Sequence, residues 1–244
     1  MPYSDKFDQE SYKKNLVLAA VNELSDEDIV YAVFAEFVMF HKTPSERFIL
    51  APQLNLSWKP GHSKDRRKEV PDFGIGHFTL PGHWQPGERP SFKLRCGVEA
   101  KRHIKEMEGL PTPDSLINDI GVRTAFHTLY FQVMDQAKAA YKNQYPLCED
   151  GFYCILLVGP YWTVEKFGPF TEAELSVRAL KKSDSGDQEA TARLTKSMEK
   201  LRELSQLYIF NSEESYNRLE EILISTDEAA QPYITAMSKP VSNW

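Results

Sequence analysis

Cysteine is scarce in this chain of 244 residues, where only Cys96, Cys148 and Cys154 occur. An odd count without CxxC spacing excludes a zinc ribbon and supplies no disulfide framework, so the expected setting is a reducing one, intracellular, in cytoplasm or nucleus. Long apolar runs are missing too. Nothing approaches the roughly 18 residues that a membrane helix needs, and the first residues, Met1 to Lys6, are polar, so neither secretion nor a membrane partner is expected. Positive charge is in deficit: 29 Lys and Arg face 35 Asp and Glu, a net charge of -6. That balance argues against a protein that coats nucleic acid without specificity, because phosphate binding needs clustered cations. Internal repeats and low-complexity tracts are absent as well.

What is present is enough apolar residue, 41% of the chain, for one substantial core. The pattern reads as a single domain over 1–244, with a core at about 25–167, an N-terminal helix within 1–24, and a helical elaboration and tail over 168–244. Ser25 with Asp28 makes a capping-box pattern, and a helix is expected from there to about His41. Its stretch Ile29 to Phe40 is apolar nearly all round, with Glu36 the only charge, and a buried carboxylate needs a partner or a cation. Alternation at Leu54, Leu56 and Trp58 predicts a strand; Val70 to Phe78 and Phe92 to Lys101 predict two more. Thr112-Pro113 suits a helix start, and Val122, Phe126, Leu129, Val133, Ala137 and Ala140 carry that helix to about residue 142. Strands at Phe152 to Val158 and Tyr161 to Phe167 follow, joined by Gly159-Pro160. Charged helical patterns cover about 171–182, 190–210 and 213–224.

Three residues then stand out by their placement. Pro71-Asp72 lies at the second predicted strand and Glu99-Ala100-Lys101 on the third. Side chains alternate along a strand, so Glu99 and Lys101 share one face while Val98 and Ala100 take the other. With the strand of Asp72 alongside, two carboxylates converge, a hard-oxygen set suited to Mg²⁺ or Mn²⁺. Gly74 and Gly76 on the Asp72 face imply a bulge or a close approach by backbone or ligand. Basic residues flank both motifs, Lys64, Arg66, Arg67 and Lys68 before the first, Lys101, Arg102, His103 and Lys105 around the second. His77, His103 and His127 lack metal-ligand spacing and read as structural or solvent-facing.

The order of elements and of these motifs resembles the PD-(D/E)XK superfamily of metal-dependent nucleases over about residues 25–167. The resemblance implies a restriction-endonuclease-like α/β fold, a central mixed sheet of about five strands flanked by helices. It also implies a metal held by Asp72, Glu99, the carbonyl of Ala100 and Glu36, with Lys101 acting on the attacking water and the phosphate. Gln136 resembles the glutamine of exonuclease-type members, although Tyr141 follows it one residue too late; Gln132 is a second candidate for that role. The function expected is Mg²⁺- or Mn²⁺-dependent hydrolysis of nucleic acid, DNA ahead of RNA. The alternative is a nuclease fold kept as a binding or scaffold module, with the C-terminal helices free to form a homodimer.

Overall fold

A computed structural model of the chain describes residues 27–40, 49–58, 67–79, 91–108, 112–142, 152–176, 206–210 and 212–224. The expected helix before Ser25, the capping residue Ser25 itself, Lys64, Arg66, the loop at 183–187 and the tail after 224 lie outside the described residues. So do most of the helices expected at 171–182 and 190–210.

The described helices are α1 (Glu27–Phe40), α2 (Pro113–Asn118), α3 (Ile120–Lys142), α4 (Glu172–Ser176) and α5 (Glu213–Ile224). The strands are β1 (Ile49–Pro52), β2 (Leu56–Trp58), β3 (Arg67–Glu69), β4 (Phe73–Thr79), β5 (Ser91–Lys101), β6 (Phe152–Val158), β7 (Tyr161–Phe167) and β8 (Tyr208–Ile209). Six of them form one mixed sheet in the order β1-β4-β5-β6-β7-β8, and β2 pairs with β3 in a separate antiparallel ladder. Among the described strands only β5 and β6 run parallel. A parallel pair needs a crossover, and α2 and α3 supply it.

The α/β class and the mixed sheet are as the sequence predicts, with three differences. The edge partner of β4 is Ile49–Pro52, so the alternating stretch around Leu56 leaves the main sheet for the small ladder. The helix expected over about 113–142 is two helices, because Asp119 turns extended at ψ 133°. Its Oδ1 accepts from the amide of Val122 at 2.9 Å, capping α3 as Thr112 and Ser115 cap α2. Third, Tyr208 and Ile209, expected to be helical, extend the sheet beside Tyr161 and Trp162.

Each face of the sheet has its own apolar layer. Val98, Ala100, Ile155 and Leu157 meet Val30, Phe34 and Phe37 of α1 together with Phe210, Leu219 and Ile222. On the opposite face Leu94, Cys154, Leu156 and Val158 meet Phe126, Leu129, Val133 and Ala137 of α3. Because Leu219 and Ile222 of α5 are buried within the chain's own core, the apolar side of this helix is not spare for a homodimer.

Between β4 and β5 the ladder carries a bulge. Ile75 pairs with Cys96 and Gly76 with Leu94, which leaves Arg95 opposite no residue. Leu94 therefore joins one layer and Cys96 the other. The Arg95 side chain is buried and donates through Nε to the carbonyl of Ile222 at 3.2 Å, in the last turn of α5. A cation is favourable at that negative helix end.

Candidate metal centre

Glu99 sits on the face of β5 that α3 covers, since Val98 and Ala100 on either side are in the α1 layer. It is only 1% exposed. Three donors hold its carboxylate. Gln136 Nε2 donates to Oε2 at 2.6 Å, Lys101 Nζ to Oε1 at 3.2 Å, and Gln132 Nε2 to Oε1. Gln132 and Gln136 are four residues apart on α3, so one helix face delivers both amides. Lys101 is on the same face of β5 as Glu99, and its side chain keeps 39% exposure.

Asp72 comes from the neighbouring strand. The last rung of the antiparallel ladder is Phe73 with Val98, and just beyond it Asp72 Oδ2 accepts the amide of Ala100 at 2.8 Å. The carboxylate thus takes the place of a further backbone rung. The Asp72 carbonyl is fixed as well, accepting from the amide of Gln53 at 2.8 Å. The Glu99 carboxyl is pushed up to about 7, first by its burial and next by the charge of Asp72; Gln136 and Lys101 pull the other way. The two carboxyl groups therefore feel each other, the condition that a shared cation relieves.

The donor set fits a hard divalent ion. Asp72 and Glu99 offer carboxylate oxygens, and Gln136 Oε1, a buried carbonyl oxygen beside Glu99, has no hydrogen-bond partner. Such an acceptor calls for a donor, a water or a cation. Among the described residues no group of three or more His, Cys, Asp or Glu side chains forms a ligand cluster, so amide and backbone oxygens and water would have to complete the shell.

The other expectations divide. Gln136 joins Glu99, and Gln132, only an alternative in the sequence, joins it too. Tyr141 turns away and donates to the carbonyl of Phe167 at 3.4 Å. Glu36 does not meet the condition that made it a candidate, because it is exposed. With Asp28 and Ala32 it forms the solvent stripe of α1, and α1 covers the sheet face opposite Glu99. Glu36 leaves the ligand set. Gly74 needs no phosphate to explain it, since a Cβ there would lie 2.6 Å from Cδ2 of Leu54. His103 and His127 are buried, and burial lowers the pKa of both. Arg102 and Lys105 are exposed beyond Lys101.

A separate open cleft of about 810 Å³ lies between β7, β8 and α5 and includes Glu165, Tyr208, Glu213, Glu214 and Glu221. It shares no residue with the Asp72 and Glu99 group, and its acidic wall would repel phosphate.

No protein-family model, curated protein or solved structure matches this chain.

Proposed function

We propose that the chain is a Mg²⁺- or Mn²⁺-dependent nuclease that hydrolyses phosphodiester bonds of nucleic acid, DNA ahead of RNA. The observation that carries the reading is the meeting of Asp72, Glu99 and Lys101 from two adjacent strands, with Gln136 closing the group from α3. It is the same set that the resemblance to PD-(D/E)XK nucleases picks out.

Asp72 and Glu99 would hold the metal, with the Ala100 carbonyl beside them. The metal supplies Lewis acidity, making an attacking water more acidic and offsetting charge on the phosphate. Lys101 is partly exposed, so its ammonium reaches both Glu99 and an incoming phosphate. There it orients the water or takes part in its deprotonation, and it neutralises charge that builds up on the phosphate oxygens. Gln136 fixes the Glu99 carboxylate. Arg102 and Lys105, exposed just past the strand, suit contacts to the nucleic-acid backbone.

A binding module is the second reading. It is favoured by the same carboxylates being engaged already, Asp72 by a backbone amide and Glu99 by three side-chain donors. A cleavage time course on single- and double-stranded DNA and RNA, with Mg²⁺, Mn²⁺ or chelator, separates the two. Cleavage that needs metal supports the nuclease. No cleavage of any substrate moves the protein to the binding class, and equal cleavage in chelator ends the metal mechanism.

A further inference from the structure

The geometry points to Gln132 as a positioning residue that sets which divalent ion the site accepts, an inference that rests on the metal-site reading above. An ionised carboxylate offers about four lone-pair positions, two on each oxygen. In Glu99 both positions on Oε1 are taken, one by Lys101 Nζ and one by Gln132 Nε2. Gln136 Nε2 takes one on Oε2, which leaves a single open position, on Oε2. The same amide carries the buried Oε1 of Gln136, which has no hydrogen-bond partner. Glu99 can therefore bind a cation through one oxygen and not through both.

This restriction matters differently to different ions. Ca²⁺ takes six to eight oxygens in flexible geometry and commonly uses a carboxylate through both its oxygens, whereas Mg²⁺ holds to a compact octahedron with single-oxygen carboxylates and water. A glutamine that blocks the second oxygen thus selects against Ca²⁺ while leaving Mg²⁺ and Mn²⁺ little affected. Lys101 blocks the same oxygen, but its side chain is 39% exposed and reaches toward solvent and substrate. Gln132 is rooted on a packed helix between buried Val133 and Leu129 and cannot withdraw so easily.

The test uses the full chain and the metals alone. Calorimetric titration with MnCl₂ and with CaCl₂ gives the affinity ratio for wild type, Gln132→Met and Gln132→Leu, thermal melts showing which variants are folded. Wild type should bind Mn²⁺ more tightly than Ca²⁺. Gln132→Met, similar in length but without the donor, should tighten Ca²⁺ by about tenfold and change Mn²⁺ by less than about threefold. A Ca²⁺ to Mn²⁺ ratio within about twofold of wild type in a folded variant overturns the inference, as does a wild type that binds both ions equally well. Those results leave the site itself standing. A wild type that binds no Mn²⁺, or an Asp72→Asn variant that binds it as well as wild type, overturns the site reading and the selectivity with it.

Discussion

Protonation of Glu99 bears on both stability and metal binding. Its native pKa of about 7 stands above the roughly 4.3 of an unfolded glutamate. Between these values the unfolded chain releases a proton that the native state keeps, so stability falls as pH rises. The contribution is whole below about pH 4.3 and gone above about pH 7, a loss of roughly 4 kcal/mol in urea titrations without metal. Metal binding runs the other way. Mn²⁺ must displace the proton, so its affinity should climb about tenfold per pH unit up to pH 7 and then level off, which calorimetry across pH 5 to 8 reads directly. Lys101→Ala removes a repelling charge and should leave Mn²⁺ affinity equal or slightly better while cleavage drops by about 100-fold or more. Asp72→Asn should lose both together. At this scale the resemblance in motif order singled out Asp72, Glu99 and Lys101, and strand alternation put Glu99 and Lys101 on one face. Glu36 misled because Ala32 fills the middle of its solvent stripe and made the helix look apolar all round. Gln132 did leave a signal, a second amide one turn from Gln136 on an otherwise apolar helix face, but only the position of Glu99 shows that both are used.

The elements were legible where their own periodicity decides them. Strands β5, β6 and β7 and helix α5 were found close to their observed limits for that reason. Those that depend on a distant partner were not. Ile49–Pro52 is four residues long, too short to show a period, and becomes a strand because β4 has a free edge. Tyr208 and Ile209 likewise pair only because Tyr161 and Trp162 are open to them. The split between α2 and α3 was written in Asn118-Asp119, a capping pair concealed in a long helical pattern. Arg95 ties two elements that the sequence keeps 127 residues apart. Arg95→Ala should destabilise the protein by about 2 to 4 kcal/mol in urea unfolding, through the lost cap and the space left behind, with amide exchange in the last turn of α5 rising first.

For the whole molecule, the C-terminal part is less of an appendage than its charged sequence suggests. Phe210, Leu219 and Ile222 are buried against α1 and the sheet, and Trp162 Nε1 donates to Ser215 Oγ at 2.8 Å. Burying three such side chains contributes roughly 5 to 9 kcal/mol, as much as many domains possess in total. A chain ending at residue 205 should therefore lose cooperative unfolding, seen as a broad or missing transition by circular dichroism. The extra residue of the bulge, Arg95, has a consequence of another kind. Leu94 and Glu99 are five residues apart yet serve the same layer, which simple alternation forbids; one supernumerary residue resets the count. Deleting Arg95 would leave them four apart, a spacing that plain alternation also puts on one face, so Glu99 would still meet the glutamines. Substitution and deletion there both remove the tie to Ile222 and weaken the protein, and Mn²⁺ binding should survive both. The supernumerary residue of this strand serves the far end of α5, and the metal face stands with or without it.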